Sequence, residues 1–304
     1  MHDFAMLLKS YGADAELADR LIKSFNAFNF DGIHLYIVVP DSDVDRFERW
    51  SSETIEVLPE SLLAQHLVNG EVHGIRPGYI NQEIIKLSFW ELELARNYFC
   101  VDSDAEFIRA FTISDFMFDD STPFSVLVED KELKAEPGYF EQHWQGRERS
   151  IRRIQELVGL DDPRLLTCHG HQVFSSKVLR SLREDFMESR SWFYADMLEQ
   201  SPYEFSWYNM WLQKSQVIDI RVCEPLVKTF HNEHQFLVSR LAGQTTVDLA
   251  RSYVGVVVNS NFANSWSGLN AQIDTPDTLA ALVPTSTLVK SLLAKCRLRA
   301  GRRA

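Results

Sequence analysis

The first hundred residues alternate between two hydrophobic periods, and that alternation narrows the possible folds more than any other feature. Phe4 to Leu8 is a short apolar run closed by Ser10, Tyr11 and Gly12. Asp14 then stands at a helix-capping position ahead of Leu17, Leu21, Ile22 and Phe25, whose spacing is helical. Ile33 to Val39 is a β-branched run stopped by Pro40. Ser42 opens a short helix with Val44, Phe47 and Trp50, and Ile55 to Leu58 makes a third, weaker strand. Strand, helix, strand, helix, strand predicts a parallel sheet with right-handed crossovers. Ligands in such sheets bind outside the carboxyl ends of the strands, so Ser10, Tyr11, Gly12, Pro40 and Asp41 are expected to border a site.

Pro77-Gly78 opens the next predicted helix, with Ile80, Ile84, Leu87 and Leu94 on its buried side. It leads into Tyr98 to Val101, an apolar strand that ends at Asp102. Further on, strands are expected at Phe124–Val128, His169–Ser175 and Tyr253–Val258, and helices at Tyr139–Val158 and Ser176–Met187. The aromatic-dense stretch Trp192 to Trp211 (Trp192, Phe193, Tyr194, Tyr203, Trp207, Tyr208, Trp211) reads mostly as core, with one or two rings left to face a sugar.

Composition excludes several classes. With 45% apolar and 24% charged residues, a chain of 304 has ample material for a large core. A net charge of -12 opposes non-specific nucleic-acid binding. Cys100, Cys168, Cys223 and Cys296 form no CxxC pair, which favours a reducing compartment. The opening residues lack a signal-peptide pattern, and no apolar stretch is long enough for a membrane span. A cytoplasmic protein is expected.

Asp102-Ser103-Asp104 is the strongest local signal. Two carboxylates two residues apart at a strand end can share a hard divalent cation, magnesium or manganese, which takes oxygen ligands together with substrate phosphates. The alternative is an acidic turn. The chain has no GxGxxG after the first strand and no GxxxxGK[ST], so nicotinamide enzymes and P-loop NTPases lose support.

The stretch Gly78-Tyr79-Ile80-Asn81-Gln82-Glu83-Ile84-Ile85-Lys86-Leu87, followed by Tyr98 to Phe107, resembles the DUF6492-type bacterial glycosyltransferase family, whose pattern is roughly GWxxQQxxKL, a helix, then LDSDxxF. Ser10-Tyr11 with Asp14 and the strand Leu35–Val39 also resemble that family, as does Tyr203-Glu204-Phe205-Ser206-Trp207-Tyr208, near an SEYxLY-like stretch. Tyr79 and Tyr203 depart from the family's Trp and Ser. The resemblance implies an α/β fold of GT-A type: a Rossmann-like nucleotide-sugar-binding fold with a mixed central sheet. It also implies a nucleotide-sugar donor and Mn2+ or Mg2+ at Asp102 and Asp104, beside Ser103.

On that basis Tyr11 is expected to stack on the base, and Asp14 either binds the base edge or ribose or caps its helix. Gln82 and Lys86 are expected at the donor, Lys86 either on the diphosphate or paired with Glu83 or Glu93. Glu204 is the expected catalytic base, with Asp196 the alternative. His231 and His234, at i and i+3, are candidates for a further metal ligand, and His169-Gly170-His171 would point two rings to one face of a strand.

From Pro284 to Ala304 there are six basic residues and no acid, interleaved with Leu288, Val289, Leu292, Leu293 and Cys296 at helical spacing. The expected organisation is a domain over residues 1–283 and a basic amphipathic tail over 284–304, which either docks on an anionic membrane or lies in solvent. The expected activity moves a sugar to a saccharide or lipid-linked acceptor in surface polysaccharide synthesis. The alternatives are a non-catalytic saccharide-binding or scaffolding protein on the same fold, and a nucleotidyltransferase.

Overall fold

Ten strands form among the described residues: β1 His2–Lys9, β2 His34–Val39, β3 Ile55–Pro59, β4 Ala95–Val101, β5 Ala105–Phe107, β6 Phe124–Val126, β7 Val173–Ser175, β8 Arg221–Cys223, β9 Val227–Phe230 and β10 Gly255–Val258. The computed structural model describes residues 1–129, 145–168, 170–231, 233–241, 243–259 and Leu293. The expected boundary at residues 283 and 284 and, apart from Leu293, the basic tail lie outside them.

The chain divides into two compact units that interleave in sequence. The first takes Met1–Ala15, Asp31–Asp102 and Thr112–Pro225; the second takes Glu16–Phe30, Ser103–Phe111 and the chain from Leu226 on.

The first unit is built on a five-stranded sheet in the order β3-β2-β1-β4-β7. β1 pairs parallel with β2 and β4, and β2 with β3, as the alternating pattern predicts. β7 runs antiparallel to β4, so the sheet is mixed. From Phe4 to Leu8, Leu35 to Val39 and Tyr98 to Val101, β1, β2 and β4 are apolar and buried on both faces, the usual state of parallel strands, whereas β3 at the edge exposes Glu56. Leu7, Tyr36, Tyr98 and Phe174 share one core with Ile80, Ile84 and Leu87 of the helix Pro77–Ser88. Pro77 is suited to that helix start, where its missing N–H costs nothing. The helix is shorter than expected. It passes into a 3-10 turn at Phe89–Leu92, and Glu93 takes a left-handed backbone that ends it before Leu94.

The helix Glu204–Ser215 is buried along its whole first part, from Glu204 to Leu212. A helix buried on every side belongs inside a core, and most of its polar groups are matched, with Asn209 Oδ1 and Ser215 Oγ the exceptions among the described residues. Ser206 accepts from Thr167 (2.9 Å), Trp207 Nε1 donates to the Ser201 carbonyl (2.8 Å), and Trp211 Nε1 donates to Ser181 Oγ (3.1 Å). Two neighbouring expectations need adjustment. The strand expected from His169 is Val173–Ser175, and the helix after it is α only to Ser181, continuing as a π-helix through Met187.

The second unit carries a three-stranded sheet in the order β5-β10-β9. Phe230, Phe236, Leu249, Val256 and Val258 form a small core there. The helix Ala15–Phe28, which from Glu16 belongs to this unit, packs Phe25 on Phe107 and Phe111. Among the described residues, no helix is long and apolar enough to cross a membrane.

Candidate functional site

In the order β3-β2-β1-β4 the chain winds away from β1 in one direction and then returns to its other side, so the topological switch point lies between β1 and β4. The crevice beyond the carboxyl ends of those two strands is where open α/β sheets bind ligands. β1 ends at Lys9 and delivers Ser10, Tyr11 and Gly12; β4 ends at Val101 and delivers Asp102.

The loop after β1 is tied down. The Gly12 N–H donates to Asp43 Oδ2 at 2.7 Å, and a Cβ on Gly12 would come within 2.8 Å of the same carboxylate, so only glycine permits this approach. Lys9 is buried and donates to Glu60 (2.9 Å) and to the Ser10 carbonyl (3.0 Å). Tyr11, expected at the base, stands half exposed in that loop. Burial raises the Asp14 carboxyl above its ordinary pKa, against the pull of Arg76, and the charge on Asp102 adds to the rise.

Asp102 is one-third exposed, and its Oδ1 lies 3.0 Å from Lys86 Nζ. Gln82 Nε2 stands 3.5 Å from the same oxygen. Burial would push the Asp102 carboxyl up, but the charge and hydrogen bond of Lys86 outweigh it and hold the pKa below its usual value. The His171 ring is buried, and burial lowers its pKa, which favours the neutral form. Its Nε2 accepts the Asp102 backbone N–H at 3.3 Å.

Lys86 is the centre of the arrangement. Its ammonium, 3% exposed, donates to Glu204 Oε1 at 2.9 Å while facing Asp102. Burial opposes its charge, but the carboxylates of Asp102 and Glu204 outweigh burial and keep its pKa well above the ordinary value. Glu204 is ionised for the matching reason: burial is overcome by Lys86 and by hydrogen bonds from Glu83 and Lys86. Glu83, fully buried beside Glu204, has its pKa raised well above the ordinary range by burial and by the Glu204 charge. Glu83 therefore holds the proton that the pair shares.

That assignment has a sign. Glu83 favours folding most fully below its unfolded pKa of about 4.5, and this contribution declines as pH rises towards its higher folded value. Glu83→Gln, which is neutral at every pH, should leave the melting temperature almost unchanged at pH 4 and raise it at pH 8. A melting series across that range checks it.

The remaining expected residues lie elsewhere. Glu204 is not on an exposed loop; it is 5% exposed at the start of a core helix. Asp196 accepts the Phe193 N–H at 2.7 Å and so closes the first turn of the helix Tyr194–Gln200. Ser103 is buried and Asp104 half-buried, both at the head of the second unit. His231, also in that unit, is buried, and its N–H donates to Gln235 Oε1 at 2.8 Å. His234 lies in the helix Glu233–Leu241, its side chain outside the described residues, as is His169. Of the aromatic stretch, Tyr194, Trp207 and Tyr208 are fully buried, whereas Phe193 is 60% exposed.

Among the described residues, no three His, Cys, Asp or Glu side chains cluster closely enough to hold a metal alone. An ionised, partly exposed Asp102 is chemically suited to be one carboxylate ligand of a hard cation whose other ligands come from a diphosphate and water. Sequence reading names Glu83 only as an alternative partner for Lys86 and misses its place beside Glu204, although Glu83 and Lys86 stand at i and i+3 on a helix whose neighbours are apolar. A charge pair on such a face is the signal that would have found it.

The fold and site together define an α/β protein with an acid-and-lysine centre at the switch point of a mixed sheet. The chain belongs to the family described as "Family of unknown function (DUF6492)", whose model matches residues 6–241. No curated protein sequence matches it. Among solved structures, the apo form of mouse xyloside xylosyltransferase 1 is similar with a TM-score of 0.47 and 10% identity, over 85% of this chain and 98% of that one.

Proposed function

We propose that the chain is a glycosyltransferase of GT-A type that moves a sugar from a nucleotide-sugar donor to a saccharide or lipid-linked acceptor. The observation that carries this reading is Asp102, which ends β4 at the switch point and is held ionised against the buried Lys86. The sequence resemblance over residues 78–107 supplies the donor class.

In this reading Asp102 and Asp104 hold Mn2+ or Mg2+ against the donor diphosphate. When bound, the cation offsets charge developing on the leaving nucleoside diphosphate. The protein's own part is orientation. Lys86 fixes one Asp102 oxygen, Glu204 fixes Lys86, and the protonated Glu83 fixes Glu204. Glu204 thus acts as a positioning residue, because its Oε1 already accepts from Lys86 and the side chain is buried. Tyr11 and Gln82 lie along the same edge as candidates for donor contacts.

A thermal-shift panel of nucleoside diphosphates, each with and without manganese, tests the reading. One nucleotide should stabilise the protein only when metal is present. A flat panel would contradict the enzyme reading and favour a non-catalytic role.

The reading places the enzyme in the cytoplasm, with residues 284–304 docking it on an anionic membrane. Each basic residue near such a surface contributes on the order of 1 kcal/mol, falling off within a Debye length. Truncation before Pro284 should abolish sedimentation with anionic vesicles and leave nucleotide binding intact. Equal pelleting of both forms would remove the membrane role.

A further inference from the structure

The helix Gln145–Val158 carries four arginines, and three of them form an instructive contrast. Arg152 reaches Glu148 at 2.8 Å and Arg153 reaches Glu156 at 3.7 Å, both exposed pairs within the helix. Arg147 is less exposed than either, yet among the described residues no carboxylate pairs with it. Its Nε is buried and lacks an acceptor among the described residues. A buried donor left unmatched costs stability, so a native chain that keeps one calls for an explanation.

Arg147 is nonetheless well placed. Its guanidinium carbon sits 4.5 Å from the centre of the Tyr203 ring. A guanidinium supported on an aromatic face is held in place while its N–H donors remain directed outward along its edge, the geometry that takes a carboxylate or phosphate in two parallel bonds. The charge on Arg147 also reaches the hydroxyl of Tyr79, which feels Glu83, Glu204 and Lys86 as well. Tyr79 is 37% exposed, so this group opens to solvent next to the buried Lys86 network. Tyr203 is the residue just before Glu204, so one segment seats Arg147 and anchors Lys86.

We infer that Arg147, seated on Tyr203 and beside Tyr79, binds an oxyanion of a ligand, a carboxylate or phosphate group. Two sources share that chemistry: the phosphates of a donor and the carboxylate of an acidic sugar. The inference rests on side chains of the first unit alone and is read by binding. It therefore stands or falls separately from the glycosyl-transfer reading.

The test uses the full chain at low salt, without metal or nucleotide sugar. Pyrophosphate, glucuronate and glucose are titrated while thermal stabilisation is followed, which yields an affinity for each. Arg147→Met keeps the stem and removes the charge; Arg147→Lys keeps the charge and removes the fork. The unliganded Arg147→Met protein should stay folded and melt within a few degrees of the parent, because the gain from removing a buried Nε with no acceptor among the described residues offsets the lost contact with the Tyr203 ring. At least one anion should bind the parent and weaken in Arg147→Met by on the order of 10- to 100-fold, with partial recovery in Arg147→Lys. Glucose should not distinguish the three proteins. A response to pyrophosphate alone assigns the site to donor phosphates, and a response to glucuronate assigns it to an acidic sugar. Equal binding of both anions to the parent and Arg147→Met, or no binding by either, would overturn the inference.

Discussion

Asp102→Asn should abolish the manganese-dependent part of nucleotide binding and cut sugar transfer by roughly two to four orders of magnitude. The effect is large because a Lewis acid at the leaving group is worth several kcal/mol of transition-state stabilisation, and each 1.36 kcal/mol is a tenfold change in rate. Asparagine keeps the shape of the side chain but not the charge that holds a cation. The fold should survive, because Asp102 is one-third exposed and Lys86 retains Glu204. Titration of nucleotide with and without manganese, on parent and variant, checks the claim. A variant with unchanged metal-dependent affinity would remove Asp102 from the metal site.

Lys86→Met should have the largest effect on stability, about 3–5 kcal/mol, the usual result of stranding a buried charge. With the ammonium gone, Glu204 remains a buried carboxylate whose chief partner has been lost. For a unit of this size the melting temperature should fall by roughly 10 °C. Adding Glu204→Gln should return a good part of that loss, since the stranded charge is then removed too. A purely local packing defect at residue 86 would give no such recovery. Denaturant melts of the two variants and the parent decide between these outcomes.

The parts of this structure that could be read from sequence are those set by local pattern. β1, β2 and the end of β4 are apolar runs bounded by glycine, proline or acidic residues, and their burial on both faces is what a parallel sheet requires. The end of β4 at Asp102 was legible for the same reason. β7 was harder: it has three residues, and only its pairing with Asn97, Tyr98 and Phe99 makes it an antiparallel edge. The centre of the site was hidden by distance along the chain. Lys86 and Glu204 are 118 residues apart, and no local spacing joins them. Glu204 is expected as a catalytic base from its place in an aromatic-dense stretch; the same aromatic residues bury its helix. Glu83 was within reach, because a charge three residues before Lys86 on an apolar helix face needs a buried partner. The division of the chain after Asp102 follows no compositional break, and nothing in the run Asp102-Ser103-Asp104 announces it.

The most direct test of the proposed site is an anomalous-difference map, recorded at the manganese edge, from crystals soaked with manganese and the nucleoside diphosphate that stabilises the protein most. A manganese peak against the Asp102 carboxylate, with nucleotide density along the carboxyl ends of β1 and β4, is the predicted result. Nucleotide density in that crevice without metal at Asp102, or a manganese peak elsewhere on the protein, would contradict it.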